Sequence, residues 1–366
     1  MRSLPEYPWD AMTQYAELAS RHPDGPLNIS IGSPVDPAPQ SVRDALAAAT
    51  DAHAYPATAG TPLLREAIAE WFLRRRGVTI APEAVLPTIG SKELVALLPF
   101  LLGIGAGEAV VFPRVAYPSY AMGAELVGAE AIASDDPAEW PANTRLVWLN
   151  SPSNPDGRVL DVSALRAAVA RARELGAVIA GDECYAEFGW EAPWDREAIP
   201  SILDPRVVGD DHTGVLSVYS LSKQSNLAGY RAAFVGGDRE LIESLLTMRK
   251  HTGLMQPAPV QAAMVAALQD ETHVDEQRAR YLARRKLLVP ALIAAGFRIE
   301  GSEAGLYLWA TRGEDAWQSV EAFARLGIVV GPGHFYGDDS PQHVRLALTA
   351  SDEHVAEAAA RIAASR

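Results

Sequence analysis

Residues 220–231 have the sequence SLSKQSNLAGYR and directly follow an apolar stretch at 215–219. The apolar stretch predicts a buried strand, so the polar run begins where that strand ends. Lys223 has two serines within the three residues before it, and Arg231 follows eight residues later. A buried or charge-crowded lysine loses its proton easily and forms Schiff bases with carbonyls. Hydroxyls and a guanidinium nearby suit a phosphate, which arginine binds bidentately.

Two upstream runs place polar residues after apolar stretches in the same way. Residues 150–157, NSPSNPDG, follow the apolar stretch 145–149, and Asp182 and Tyr185 follow the stretch 177–180. Ligands of open α/β sheets bind outside the carboxyl ends of the strands. The three strand ends therefore predict one shared ligand site, whereas the lysine run alone would also fit a solvated loop.

A Schiff-base lysine beside a phosphate site is what pyridoxal 5′-phosphate (PLP) requires of a protein. PLP withdraws electrons only while its pyridine nitrogen stays protonated, and a carboxylate there, such as Asp182, would hold the proton in place. The phenolate oxygen of the ring needs hydrogen-bond donors, which Tyr185 and Asn154 can supply. The sequence therefore predicts a PLP site.

The order of apolar and amphipathic segments predicts the fold. Short apolar runs alternate with helical patterns between Glu83 and about Gly237, which indicates an α/β fold with a mostly parallel sheet. The predicted strands of this sheet are 84–87, 108–112, 145–149, 177–180, 215–219 and 232–236. Later helices and the strands 306–311, 328–330 and 344–349 predict a smaller α+β domain. We predict a large PLP-binding domain at 40–255 and a small domain formed by 1–39 and 256–366.

Capping patterns predict two helix starts near the beginning of the large domain. Ser41 and Asp44 have the spacing of a capping box. Thr61 followed by Pro62 predicts an N-cap with proline at the first helical position, and the helix should stop near Gly77.

The composition argues against several classes of function. The chain has 366 residues with 46 acidic and 32 basic side chains, a net charge of −14, which argues against nucleic acid or an anionic membrane as partner. One cysteine, Cys184, excludes internal disulfides, and the eight scattered histidines predict no metal site. The sequence has no nucleotide P-loop motif, no membrane-length apolar run and no secretion signal at its start, so we expect a cytoplasmic protein.

The motifs taken together resemble the class I/II aminotransferases of PLP fold type I. They occur in a fixed order over nearly the whole chain: IGSP at 31–34, YP at 55–56, GSK at 90–92, YPSY at 117–120, NPDG at 154–157, DECY at 182–185, SLSK at 220–223 with Arg231, and HVRLALTA containing Arg345. The resemblance implies a homodimer that transfers amino groups between amino acids and 2-oxo acids.

The resemblance also implies a role for each matching residue. PLP would be bound by Gly90, Ser91, Lys92, Tyr117, Asn154, Asp182, Tyr185, Ser220, Ser222, Lys223 and Arg231, with Tyr55 reaching it from the partner subunit. Arg345 would clamp the substrate α-carboxylate beside Gly32 and Asn154. Lys223, Asp182 and Tyr185 would be the catalytic residues, with Lys223 as general base. The alternatives are an ordinary helix start at 90–92, core packing for Tyr117, a turn for Tyr55 and a surface position for Arg345.

A closer resemblance concerns the substrate. LPEYPWDAM, SPVDP, IGSKEL, LNSPSNPDGRVL, GDECY and RKHTGLMQPAPVQAAMVAAL are similar to the actinobacterial succinyldiaminopimelate aminotransferases of lysine biosynthesis. This implies glutamate as amino donor and N-succinyl-2-amino-6-oxopimelate as acceptor. The acceptor carries carboxylates far from the reacting carbon, and the candidate partners for them are Lys92, Arg114, Arg249 and Lys250.

Other functions use the same cofactor residues. An aminotransferase for aromatic amino acids or histidinol phosphate and a PLP β-lyase remain open, although Arg345 favours substrates with a free α-carboxylate. A regulator with a PLP domain would carry a basic DNA-binding segment before it. Only some thirty residues, and not basic ones, precede Gly32.

Overall fold

The computed structural model describes residues 8–365. The strands in chain order are β1 (Leu27–Asn28), β2 (Val85–Ile89), β3 (Ala109–Phe112), β4 (Glu130–Ala133), β5 (Thr144–Asn150), β6 (Val178–Asp182), β7 (Val215–Ser220), β8 (Ala232–Gly237), β9 (Arg298–Ile299), β10 (Tyr307–Thr311), β11 (Ile328–Val329), β12 (Gly331–Pro332) and β13 (His343–Ala347).

The α-helices are α1 (Thr13–Ala19), α2 (Gln40–Ala48), α3 (Pro62–Trp71), α4 (Ser91–Leu101), α5 (Ser119–Val127), α6 (Val162–Leu175), α7 (Pro205–Val208), α8 (Leu221–Gln224), α9 (Arg239–Thr252), α10 (Ala258–Gln269), α11 (Thr272–Ala294), α12 (Ala316–Arg325) and α13 (Asp352–Ala364). Short 3-10 helices cover Pro8–Met12, Pro82–Ala84, Pro137–Glu139, Ala228–Tyr230 and Gly333–Tyr336, and a π-helical turn covers Phe72–Arg76. None of the helices within 8–365 combines the length and apolar character needed to cross a membrane.

A seven-stranded sheet carries the predicted cofactor residues. Its strand order is β2-β8-β7-β6-β5-β3-β4, and β8 is antiparallel to both of its neighbours while the other pairs are parallel. The predicted mostly parallel α/β sheet is therefore confirmed, and all six predicted strands occur in it. Strand β4 was not predicted, because it lies at the mostly exposed edge of the sheet and its sequence EAIA has an apolar run of only three residues, two of them alanine.

Both faces of this sheet are covered by helices, as the alternation along β5 illustrates. Val147 and Leu149 pack into one apolar cluster with side chains of α3, α6 and α10. Leu146 and Trp148 point to the opposite face and pack with side chains of α4 and α5. Successive side chains of a strand face opposite sides, so a strand covered on both sides is apolar throughout. This packing fixes the strand ends that carry the site.

The second part of the molecule joins the N-terminal and C-terminal segments. A four-stranded antiparallel sheet has the order β12-β13-β10-β9, and β1 pairs in parallel with β11. The described N-terminal residues thus pair with a C-terminal strand, and the division into a large and a small domain stays a prediction. The boundaries at 39/40 and 255/256 stay predictions. Residues 1–7, assigned to the same domain and containing the start of LPEYPWDAM, lie outside the described residues.

The two predicted helix starts have different outcomes. Thr61 caps α3 by accepting a hydrogen bond from the backbone N–H of Leu64, with Pro62 as the first helical residue, so this prediction is confirmed. The capping box at Ser41 is wrong, because α2 begins one residue earlier without a side-chain cap. The Ser41 hydroxyl instead donates to Asp270, at 2.9 Å, on the segment that links α10 to α11.

Candidate active site

A cavity of about 430 Å³ lies at the carboxyl ends of β5, β6 and β7. The predicted residues that line it are Gly32, Ser91, Lys92, Tyr117, Asn154, Asp182, Tyr185, Ser220, Ser222, Lys223, Arg231 and Arg345. Residues from distant parts of the sequence therefore meet at one site. Strand register explains part of this convergence, because Asn150 and Asp182, the last residues of β5 and β6, lie side by side, and Asp182 pairs with Val218, two residues before the end of β7.

Asp182, the last residue of β6, lines the cavity. Its carboxylate accepts hydrogen bonds from the hydroxyl of Tyr120 at 2.8 Å and from the backbone N–H of Cys184 at 3.3 Å. Burial raises the pKa of Asp182, and these hydrogen bonds oppose that rise. A cationic partner in the cavity would therefore stabilise the charged form of this carboxyl.

Lys223 lies opposite, in the short helix α8 directly after β7. Its amino group donates to the backbone carbonyl of Gly32. Burial lowers the pKa of Lys223, and the positive charges of Arg345 and Arg231 lower it further. The amine is therefore easier to deprotonate than an ordinary lysine, as Schiff-base chemistry and general-base catalysis require.

An anion site lies at the N-terminus of α4. Gly90 caps that helix with a φ of 75°, and a Cβ at this position would collide with the guanidinium of Arg231. Ser220 and Ser222 lie beside it, their hydroxyls 2.9 Å apart. A helix N-terminus, hydroxyl groups and an arginine together suit a phosphate. Only glycine combines this backbone conformation with such close approach of the arginine.

Arg345 forms the opposite end of the cavity, on β13. Its two terminal nitrogens donate to the side-chain oxygen of Asn154 at 2.8 Å and to the backbone carbonyl of Ser30 at 2.7 Å. Its Nε is buried and meets no acceptor among residues 8–365. The guanidinium carbon lies 4.0 Å from the ring centre of Tyr307 and 4.9 Å from that of Tyr336. The arginine is thus held in place with donors to spare for a carboxylate.

Comparisons with known proteins identify the family. The model of the family described as "Aminotransferase class I and II" matches residues 24–362. The chain belongs to this family. It is 56% identical over 363 residues to the "4-dedimethylamino-4-oxo-anhydrotetracycline transaminase OxyQ" of Streptomyces rimosus, covering 99% of this chain and 100% of that protein. It is 53% identical over 362 residues to the "Probable aminotransferase Rv1178" of Mycobacterium tuberculosis, covering 98% and 85%.

A solved structure supports the same assignment. An aminotransferase from Neisseria meningitidis Z2491 superposes with a TM-score of 0.89 at 30% identity, covering 99% of this chain and 97% of that one. The chain is therefore a PLP-dependent aminotransferase of fold type I that acts on amino acids and 2-oxo acids, as the sequence predicts.

The residues of the aminotransferase cavity fit PLP. Asp182 would gain a cationic partner in the protonated pyridine nitrogen, while Lys223 is an amine whose lowered pKa suits reaction with a carbonyl. The site at Gly90 and Arg231 offers donors for the phosphate. Each of the three chemical groups of the cofactor would thus meet a complementary group of the protein.

Two tyrosines that were predicted to bind the cofactor, Tyr117 and Tyr55, differ in position. Tyr117 lines the cavity, with its ring centre 6.0 Å from that of Tyr120. Tyr55 does not line it and is 95% exposed. An exposed tyrosine in a single chain accords with a role in a partner subunit, but this role stays a prediction.

Sequence analysis missed several residues of the site. Tyr120 holds Asp182, although the motif YPSY at 117–120 pointed only to its neighbour Tyr117. Asn150 fixes the loop that carries Asn154 by accepting from its backbone N–H at 2.7 Å and donating to the carbonyl of Asp182 at 2.9 Å. The substrate side also has aromatic residues to which the sequence gave no role: Trp9, within LPEYPWDAM, and Tyr307, Phe335 and Tyr336, which lie outside the quoted motifs.

The structure separates the four candidates for a distal anion. Lys92 lines the cavity, with its ammonium 5.8 Å from the ring centre of Tyr117. Arg114 is half-exposed and pairs with the carboxylates of Glu139 and Asp339, at 3.3 and 3.6 Å. Lys250 is exposed on α9, and neither of these two lines the cavity.

Arg249 is wrong as a candidate. Its side chain is completely buried and forms two hydrogen bonds to the carboxylate of Glu93, at 2.7 and 3.1 Å. Glu93 also accepts from the backbone N–H of Ile89 at 3.2 Å. The pair therefore attaches α9 to the start of α4, and the charge of Arg249 is paired with that of Glu93 outside the cavity. A basic residue near a sequence motif gave no indication of this pairing.

Proposed function

We propose that the aminotransferase moves an amino group between glutamate and N-succinyl-2-amino-6-oxopimelate, in the synthesis of diaminopimelate and lysine. The observation that carries this proposal is the position of Lys92, a basic side chain on the cavity wall in addition to the α-carboxylate clamp Arg345. The sequence resemblance supplies the specific substrate. Relatives described as LL-diaminopimelate aminotransferases are more distant, at 30% identity for the protein of Dehalococcoides mccartyi.

Arg345 binds the α-carboxylate of each substrate in this proposal. Its guanidinium is fixed by Asn154 and Ser30 and buried against aromatic rings, which reduces competition from water. Gly32 lies beside it, and a Cβ at that position would overlap the hydroxyl of Tyr307. A carboxylate bound here places the adjacent Cα on the side of Lys223.

Lys223 acts as the base in this proposal. When bound, PLP supplies an electron sink for the negative charge that develops on the substrate Cα. With PLP held at this site, Lys223 would take the proton from the substrate Cα and would be the group that carries it during the transfer. Its lowered pKa favours the neutral amine that this step needs.

Asp182 and Tyr185 assist the reaction. Asp182 keeps the pyridine nitrogen protonated, and its hydrogen bonds from Tyr120 and Cys184 hold the carboxylate in the required orientation. Burial raises the pKa of Tyr185, so its phenol stays protonated and can donate to the ring oxygen of the cofactor.

Half-reactions test the substrate. The PLP-loaded protein is mixed with N-succinyl-L,L-diaminopimelate without any oxo acid, and its visible absorbance is followed. We expect stoichiometric conversion to the pyridoxamine form, faster than with phenylalanine or aspartate. In Lys92→Met we expect the rate with the succinyl compound at low concentration to fall about tenfold more than the rate with alanine, which has no distal anion. Conversion by glutamate but not by the succinyl compound would retain the aminotransferase and refute this substrate.

A second candidate is amino transfer to a bulky cyclic ketone. The relative at 56% identity is described as a transaminase of 4-dedimethylamino-4-oxo-anhydrotetracycline, which contains fused rings. The substrate side of the cavity has an aromatic wall formed by Trp9, Phe335 and Tyr336, and the rings of Trp9 and Phe335 pack edge to face at 5.1 Å. Such a wall suits a flat apolar body. This candidate predicts that the pyridoxamine form is converted back faster by a fused-ring ketone than by the succinyl oxo acid.

We also propose that the enzyme is a cytoplasmic homodimer in which Tyr55 of each chain contributes to the site of the other. The 95% exposure of Tyr55 supports this arrangement. Analytical ultracentrifugation should give twice the chain mass of 39.2 kDa. Tyr55→Phe should weaken PLP binding about tenfold without changing the mass. A monomer that is fully active would refute the shared site.

A further inference from the structure

Residues 30–36, the Gly32 segment, are attached to helix α11 through one acidic side chain, Asp36. The carboxylate of Asp36 accepts two hydrogen bonds from the guanidinium of Arg284, at 2.6 and 2.9 Å, and one from the side-chain amide of Gln277 at 2.8 Å. The side chain of Arg284 is 1% exposed and that of Asp36 is 11% exposed. Burial raises the pKa of Asp36, but these hydrogen bonds outweigh it and hold the pKa below its usual value.

The same face of α11 also contacts the segment of the Schiff-base lysine. Gln277, Tyr281 and Arg284 are spaced four and three residues apart, so they lie on one side of the helix. The side-chain amide of Asn226 donates to Gln277 at 2.9 Å. The hydroxyl of Tyr281 donates to the backbone carbonyl of Lys223 at 3.4 Å.

A third set of contacts reaches the strand of the carboxylate clamp. Arg284 donates to the backbone carbonyl of Leu348, three residues after Arg345, at 3.2 Å. The hydroxyl of Thr349 donates to the backbone carbonyl of Ile31 at 3.0 Å. Arg345 itself donates to the carbonyl of Ser30. The strand of the carboxylate clamp and the Gly32 segment are therefore joined by this hydrogen bond as well as by that of Thr349.

We propose that Asp36, acting through Gln277 and Arg284, is a positioning residue for amino transfer. Charge-assisted bidentate hydrogen bonds in a buried site are strong and directional. They fix the Gly32 segment and the Arg345 clamp relative to each other, so that both can contact the α-carboxylate of a bound substrate. The inference applies to any α-amino carboxylate and does not depend on the acceptor proposed above.

The variant Asp36→Asn tests the proposal because it keeps the shape of the side chain and removes its charge. We expect the KM for glutamate to rise about tenfold while kcat falls less than about threefold. The variant loosens the groups that bind the α-carboxylate and leaves the reacting groups unchanged. The Kd for succinate, which has carboxylates but neither amino nor oxo group, should rise by about the same factor in calorimetry of the PLP-loaded enzyme.

The matched control is Asp352→Asn. Asp352 accepts from the Nε of the same Arg284 at 2.7 Å, but it lies in the first turn of α13 and its side chain is 68% exposed. We expect its KM and succinate Kd to stay within about twofold of the wild type. An equal rise in this control would overturn the proposal, since the effect would then come from general loosening of Arg284.

A second variant guards against misfolding of the first. Gln277→Met removes the hydrogen bonds to Asp36 and Asn226 while keeping a side chain of similar length. It should raise the KM for glutamate and the succinate Kd about threefold. If either variant lowers the thermal midpoint and leaves both constants unchanged, Asp36 has a purely structural role and the proposal is wrong.

Discussion

The cofactor end and the substrate end of the cavity are assembled in different ways. At the cofactor end, Asp182 is the last residue of β6 and Lys223 follows β7 by three residues, so each position is set by the sheet. At the substrate end, Gly32 lies in a loop, Arg345 lies on a strand of the second sheet, and Trp9 comes from the N-terminal segment.

The electrostatics of the two ends also differ. At the cofactor end burial shifts the pKa of Asp182 upward and that of Lys223 downward, because it disfavours the charged form of each group. At the substrate end Arg345 already donates to two fixed acceptors. The cofactor end is thus built to react with a ligand, and the substrate end is built to hold one in place.

The largest expected effect is at Lys223. Lys223→Ala should abolish turnover of the PLP-loaded protein, because the variant lacks both the covalent attachment and the base. Single-turnover absorbance with glutamate measures this. Near-normal conversion would show that Lys223 is not the reactive group of the cofactor end, and the proposed difference between the two ends would be wrong.

The next largest effect is at Asp182. Asp182→Asn should fold normally and lower kcat about a thousandfold, because a neutral amide cannot hold the proton on the pyridine nitrogen. Steady-state kinetics with circular dichroism as a folding check decide the outcome. A loss of less than about fivefold would mean that the buried carboxylate is structural.

Arg345 should show a smaller loss, confined to binding. Arg345→Lys should lower kcat/KM for glutamate about a hundredfold, because a lysine cannot make the bidentate contact and cannot donate to Asn154 and Ser30 together. The same variant should retain its affinity for PLP. Equal losses for the cofactor and for the substrate would contradict the division of the cavity.

Tyr120 connects the cofactor end to its surroundings and should have a modest effect. Tyr120→Phe removes the 2.8 Å hydrogen bond to Asp182 and should lower kcat about fivefold. Tyr219→Phe is the control, because it removes a buried 2.7 Å hydrogen bond to Gln224 that does not reach the carboxylate. An equal fall in both variants would show that the loss reflects stability alone.

The smallest expected effect is on the pH dependence of stability without cofactor. The folded-state pKa of Asp182 is raised above its usual value of 3.8, so its stabilising contribution is complete below that value and is lost as the pH rises through the folded-state pKa. In the PLP-free protein, Asp182→Asn should therefore gain thermal stability over the wild type as the pH rises. Thermal midpoints at several pH values test this, and a difference independent of pH would contradict it.

The same contrast explains how much of the molecule could be predicted. Lys223, Asp182 and Asn154 follow apolar strands within short motifs, and a parallel sheet brings strand ends together, so the sequence was sufficient to place them. Phe335 and Tyr336 belong to a short 3-10 helix whose approach to the cavity depends on how the second sheet packs. The sequence around these two residues has no pattern that predicts this packing.

Pairings between distant residues were equally invisible. Arg249 looked like a free basic group in sequence and is buried against Glu93, 156 positions away. Asp36 had no assigned role within the SPVDP stretch, and it accepts from Arg284, 248 positions away. Charge and spacing along the chain do not determine such long-range partners, which depend on the packing of α4, α9 and α11.

The most direct test locates the covalent bond to the cofactor. The PLP-loaded enzyme is reduced with borohydride, digested, and analysed by mass spectrometry for the peptide that carries the pyridoxyl group. Two lysines line the cavity within residues 8–365, Lys223 at its reactive end and Lys92 on its wall. We expect modification at Lys223 alone. A pyridoxyl group on Lys92 would contradict the assignment of both ends.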